Sequence, residues 1–201
     1  MKPCIQRSLI YFSILLYLFS GCQSECDNEA ELAFAPKQQK RLEAYKEGDT
    51  IYFSDGAGNK DTIAVSAIES WTNNCMLHAT GVDIKHLPDN LWSDGSEIKN
   101  GKLVQLDQRL LLVEKQVDNI DEYVSIHYRN FSGRITDDTE TRSDSLFHYC
   151  HQRSYLVVEN EDADSEKFKQ NSLHIMKIFW TEKYGLSGYE LRNGSVLRIE
   201  K

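Results

Sequence analysis

The chain has 201 residues, with 23 Lys and Arg against 31 Asp and Glu, a formal net charge of −8. A field of that sign disfavours nucleic acid and anionic membrane surfaces as partners. Eleven glycines and three prolines are too few for a low-complexity chain, and the length suits one domain with a sizeable core.

Lys2 and Arg7 are the only charges before Glu25, and Leu9 to Phe19 is apolar apart from Ser13. As a helix that run is about 16 Å long, half of a ~30 Å hydrocarbon core, which argues against a transmembrane span. A basic start, a short apolar stretch and small residues after it form the layout of a secretory signal peptide.

Leu18-Phe19-Ser20-Gly21-Cys22 resembles the lipobox of bacterial lipoproteins, with Phe19 where a small aliphatic residue is usual. The resemblance implies cleavage after Gly21 and diacylation of Cys22 through sulfur, and two or more acyl chains anchor a protein stably to a membrane. The alternative is an ordinary cleaved signal, in which Cys22 carries no lipid. Gln23 is not the aspartate that retains lipoproteins at the inner membrane in the enteric pattern. Glu25, Asp27, Glu29 and Glu31 resemble the acidic tether of surface-displayed lipoproteins of Bacteroidetes, although linkers are commonly acidic in any case. The expected organisation is a signal peptide at 1–21, a lipidated acidic tether at 22–36 and a folded domain at 37–201. The expected address is the outer membrane, lipid-anchored and facing the periplasm or the exterior.

Taking the first 21 residues from 201 leaves 180, and the loss of Lys2 and Arg7 moves the charge from −8 to −10. Five cysteines sort by position. Cys4 leaves with the signal and Cys22 takes the lipid. Cys26, Cys75 and Cys150 remain in an oxidising compartment, where disulfides persist. Three single pairings exist, and Cys75–Cys150 is favoured because Cys26 lies on the tether. Closing that loop would contribute about 4 kcal/mol on the chain-entropy model.

The folded part opens with "KQQKRLEAYKE" at 37–47, the one helical pattern, whose basic cluster reads as a solvated helix face. From residue 48 the period is mostly two, the strand signature. Thr50 to Ser54, a Gly-Ala-Gly-Asn connection and Thr62 to Trp71 read as a hairpin, with Ile63, Val65 and Ala67 on one face. "KLVQLDQRLLLVEKQV" gives one or two strands. "EYVSIHYRNFSGRI" alternates, with Val124, Ile126 and Tyr128 opposite Tyr123, Ser125 and His127. "SYLVVEN" and "SLHIMKIFWTEKYG" follow, separated by an acidic loop. In "LSGYELRNGSVLRIEK" the Asn193-Gly194 dipeptide predicts a type I′ hairpin turn. The sum is an all-β domain of about eight or nine strands with one short N-terminal helix, folded as an antiparallel barrel, half-barrel or sandwich. The closing "FWTEKYGLSGYELRNGSVLRIE" is similar to the C-terminal hairpins of small uncharacterised envelope lipoproteins of Bacteroidetes. That similarity covers about a quarter of the chain and implies an address, not a chemistry.

Catalytic signatures are sparse. Cys75-Met-Leu-His78 and His148-Tyr-Cys150-His151 carry thiolate and imidazole in zinc-ligand spacing, but a Cys75–Cys150 disulfide would consume both thiolates. No Gly-x-Ser-x-Gly elbow occurs. "NEDADSE" at 160–166 has the alternating oxygens of a calcium loop without its glycine or its closing glutamate, and reads as a solvated turn. Trp180 is in phase with Met176 and Ile178 and reads as core, whereas Trp92 is loop-borne. His127 reads either as the lining of a cavity or as a solvent-facing strand residue. The expectation is a lipid-anchored binding or structural module with no catalytic residue, no metal and no cofactor. Its partners would be the membrane through Cys22 and a glycan, a small apolar ligand or an envelope protein. The alternative is a periplasmic or surface hydrolase, zinc-assisted through the Cys/His residues.

Overall fold

A computed structural model describes residues 32–73, 76–89, 91, 96–99, 102–105, 107–117, 122–143, 154–164, 166 and 169–200. Eleven strands form one antiparallel sheet, and a separate hairpin pairs β4 (Ser96–Lys99) with β5 (Lys102–Gln105). The large sheet contains β1 (Thr50–Ser54), β2 (Lys60–Asn73), β3 (Leu77–Leu87), β6 (Asp107–Gln116), β7 (Tyr123–Tyr128) and β8 (Phe131–Arg134). It also contains β9 (Glu140–Arg142), β10 (Tyr155–Glu159), β11 (Ile175–Thr181), β12 (Gly185–Leu191) and β13 (Val196–Ile199). The order across the sheet is β8-β7-β6-β3-β2-β1-β13-β12-β11-β10-β9.

The architecture is a curled half-barrel, all-β as expected. Register shifts between Val65 and Ala67, between Val82 and Asp83 and within β11 bend the long strands, as bulges do by adding local twist. The curl brings edge strand β8 against β10 and β11. There the Glu161 amide donates to the Ser132 carbonyl at 2.9 Å, and the buried Asn160 side chain donates to the Ile175 carbonyl at 2.6 Å and the Asn130 carbonyl at 3.2 Å. Asn130 closes the seam from the other side, its Oδ1 accepting from the Ile175 amide at 3.0 Å.

Side chains fill the interior. Phe53, Ile63, Ile84, Leu110, Leu111, Ile126, Tyr128, Ile175, Ile178, Trp180, Tyr189 and Leu197 are all buried. Trp180 is core, as its phase predicts. Helix α1 (Pro36–Glu43) lies across one open end, with Phe34 and Tyr45 packed into the same core. It starts on Pro36, where a missing amide costs nothing, and stops four residues short of the expected 47. Tyr45 turns inward at that point, its hydroxyl accepting from the Leu186 amide at 2.8 Å. Among the described residues no helix is long and apolar enough to span a membrane.

The strand count corrects the expectation of eight or nine. β3 escapes a period-two reading because Ala79, Thr80, Gly81 and Val82 are buried in succession. The outward side of Gly81 is covered by Arg109, whose Nε lies 2.6 Å from where a Cβ would stand. "EYVSIHYRNFSGRI" is two strands, since Tyr128 pairs with Phe131 across a tight turn. The Asn193-Gly194 hairpin is present, but only Gly194 has a positive φ, 85°. The Gly194 amide donates to the Leu191 carbonyl at 2.9 Å, so a single left-handed glycine closes the turn and it is not type I′.

Candidate functional site

Two polar assemblies stand out, one centred on buried Asp61 and one open on the outer face of the half-barrel. The first starts from Asp61, which shares the inward parity of Ile63 and Val65 on β2 and is 0% exposed. Its carboxylate takes an ion pair from Arg129 Nη2 at 2.5 Å, a hydrogen bond from the Tyr189 hydroxyl at 2.6 Å and a short one from the Tyr128 hydroxyl. Asp89 stands 3.6 Å from the same guanidinium nitrogen and accepts from the Thr62 amide. Burial opposes ionisation of Asp61, but the Arg129 charge and these donors hold its carboxyl below the ordinary carboxylate value.

His86 completes this centre. Gln108 accepts from the Arg129 amide at 2.7 Å and donates to the Arg129 carbonyl at 3.2 Å, which fixes its amide orientation. The Gln108 Oε1 therefore faces His86 Nε2 as an acceptor at 2.9 Å. The ring proton sits on Nε2, and Nδ1 has no partner among the described residues. Burial, reinforced by the Arg129 cation, pulls the imidazole down to about 4. Asp61, His86, Tyr128 and Tyr189 are buried, Arg129, Gln108 and Asp89 are partly so, and the centre joins β2, β3, β6, β7 and β12. What it does chemically is tie distant strands together.

The open assembly lies on β6, β7 and β8. Outward alternation presents Glu114 and Gln116, then Tyr123, Ser125 and His127, then Arg134, with Glu161 as the far wall, around a groove of about 470 Å³. Tyr123 is 44% exposed, and the Arg134 guanidinium lies 6.0 Å from its ring centroid while pairing with Glu161 at 3.6 Å. His127 lines this groove from outside the barrel, opposite Ser132. A second hollow of about 580 Å³ shares Tyr123, Val124 and Arg134 with the first and runs under α1, where Lys37, Arg41 and Lys115 form its wall.

Of the residues singled out from the sequence, Cys22, Cys75, His148, Cys150, His151 and Trp92 lie outside the described residues. His78 is described; its ring packs on Phe34 at 4.8 Å and bonds the Thr72 hydroxyl at 3.1 Å. No group of three or more metal-ligating side chains is gathered among the described residues. In the acidic loop, Asn160 turns inward to the β8 seam and accepts from the Asp162 amide at 3.0 Å, while Glu161, Asp162 and Asp164 are exposed. Ser187 is buried mid-strand, bonded to the Thr181 hydroxyl at 2.6 Å. The "KQQKR" face is solvated at Lys37, Gln39 and Lys40, but Arg41 is 4% exposed and belongs to the wall beneath the helix. Comparison of the chain with protein-family models, curated proteins and solved structures finds no match.

Proposed function

We propose that this protein is a lipid-anchored binding module of the cell envelope that takes a glycan on the outer face of β6–β8. The observation that carries this reading is the groove bearing exposed Tyr123. Its walls are hydroxyl, amide, imidazole and charged side chains around one aromatic ring. Sugars present alternating hydroxyls and apolar ring faces, and a tyrosine beside hydrogen-bonding side chains answers both. The interior is a weaker host, because Phe53, Tyr128, Trp180 and Tyr189 occupy it. An apolar ligand inside the barrel is correspondingly disfavoured. The anchor rests on the lipobox-like sequence ending at Cys22 and on the acidic stretch that follows it.

Two measurements test the reading. Metabolic labelling with a palmitate analogue should mark the wild-type chain and leave Cys22→Ala unlabelled and released from membranes. Full-length protein in detergent, titrated with neutral and acidic oligosaccharides, should show saturable amide shifts at Ser125, His127 and Ser132. Shifts produced by an extended peptide and by no sugar would replace the glycan with a protein partner. Shifts confined to core residues would remove the groove.

A further inference from the structure

Arg41 is 4% exposed, with no carboxylate in ion-pair range among the described residues. Among the described residues its guanidinium donates one hydrogen bond to protein, from Nη1 to the Gln38 Oε1, and no ion pair engages it. Three carboxylates act on it from a distance, Asp137, Glu122 and Glu182, and each is already committed. Asp137 pairs with Lys37 at 3.5 Å and Glu182 with Lys40 at 3.6 Å. Glu122 accepts from the Ala35 amide at 2.7 Å and stands 3.6 Å from Lys115. Burial pushes the Arg41 pKa down, yet an arginine does not discharge by losing its proton. Among the described residues its charge therefore has no carboxylate in ion-pair contact.

The same side chain forms part of the wall of two hollows. One is the 580 Å³ hollow under α1, and the other, of about 230 Å³, lies toward Tyr155, Leu156 and Trp180. We propose that the hollow under α1 binds a carboxylate-bearing sugar, with Arg41 as the ligand of its carboxylate. A guanidinium fork matches a carboxylate through two parallel hydrogen bonds. The charge balance selects a monoanion. Around the hollow the Lys37–Asp137, Lys115–Glu122 and Arg134–Glu161 pairs each sum to zero and leave the single charge of Arg41. A doubly charged phosphate would overshoot it. The hollow meets the Tyr123 groove, so a uronic-acid residue under α1 would continue into a chain lying on β6–β8. The inference rests on the reading of that groove as a glycan site and adds its charge specificity.

The test uses full-length protein in detergent, labelled with [15N]arginine, and reads the guanidinium Nε resonances. The Arg41 signal is assigned by its loss in Arg41→Lys. D-glucuronate is the probe and D-glucose its neutral twin. A saturable shift of the Arg41 resonance with glucuronate and none with glucose is expected. Arg41→Gln should weaken glucuronate binding at least tenfold, with Arg41→Lys intermediate because the fork is lost. Absence of any shift at Arg41 overturns the inference. If neutral oligosaccharides still move Ser125 and His127 in that case, the binding-module reading stands without it. An Arg41 shift on neutralising Glu25, Asp27, Glu29 and Glu31 together, with no response to glucuronate, also overturns it and assigns the carboxylate to the chain itself.

Discussion

Arg129 reaches back 68 residues to Asp61 from a backbone conformation that arginine rarely adopts. Its φ is 54°, the one positive value among the described non-glycine residues. It sits in the turn between β7 and β8, where a glycine or asparagine would be usual. Left-handed backbone at such a residue costs on the order of 1 kcal/mol or more and persists only where the surroundings fix it. Here Gln108 holds both main-chain groups of Arg129, and Asp61 holds its guanidinium. The turn and the buried ion pair are thus one device, pinning the β7–β8 hairpin to β2.

Asp61→Asn should therefore destabilise the domain severely. Removing one partner of a buried pair leaves the other charge uncompensated, a loss of about 3–5 kcal/mol. Tyr189→Phe removes only a hydroxyl and should cost about 1–2 kcal/mol. Urea unfolding of both variants checks the ranking. Equal losses would mean that Asp89 substitutes for Asp61 as the partner of Arg129.

His86 gives the centre a pH signature. Its folded pKa is depressed to about 4 from 6.5, so the unfolded chain takes up the proton first. Stability is complete above about 6.5 and falls as the pH drops towards 4, levelling out below. Between pH 7 and 5 the expected loss from this one group is about 2 kcal/mol. The cause is burial of the ring, reinforced by the Arg129 charge, and Nδ1 has no acceptor among the described residues to offset it. His86→Gln should lose this part of the slope. The difference between the two pH profiles isolates His86 from the other titrating groups.

The legible parts of this fold are the ones that obey a simple period. The β1–β2 hairpin, the inward set Val124, Ile126 and Tyr128, and the core position of Trp180 follow from alternation along a half-buried sheet. Asp61 was available to the same logic, since it shares parity with Ile63 and Val65, and His86 shares parity with Val82 and Ile84. A charge on an inward face is the signal of a buried polar centre, but its partner on β7 is not readable along one chain. β3 was hidden because bulges and the cover of Arg109 over Gly81 erase the alternation. The outward face of β7 was readable as Tyr123, Ser125 and His127. That these residues line a groove depends on the curl that brings Glu161 beside Arg134, a long-range outcome.

The curl itself depends on Asn160. Its side chain bonds the Asn130 and Ile175 carbonyls and the Ser132 amide, bridging β8 to β10 and β11 where no strand ladder joins them. Asn160→Ala would strand the buried Ile175 carbonyl and free the partly buried Asn130 carbonyl, a loss of about 1–3 kcal/mol, the cost of one unsatisfied buried group. The specific expectation is faster hydrogen exchange at the Glu161 amide, with protection in the β1–β2 hairpin kept until global unfolding. Uniform acceleration throughout the sheet would show that the seam is no separate unit.

Tyr123 separates function from stability more cleanly than any core position. It is 44% exposed, and its inward neighbour Val124 carries the packing. Tyr123→Ala should leave the unfolding midpoint almost unchanged, as surface substitutions do, within about 0.5 kcal/mol. It should weaken glycan binding about tenfold or more, because it removes the phenol face that the described groove offers a sugar ring, and a factor of ten corresponds to about 1.4 kcal/mol. Tyr123→Phe keeps the ring, so it should retain most of the affinity if stacking dominates. A loss in Tyr123→Phe as large as in Tyr123→Ala would instead place the binding energy in the hydroxyl. Binding unchanged in both would show that the Tyr123 ring carries none of the affinity, leaving Arg41 and the wall under α1 to account for what remains.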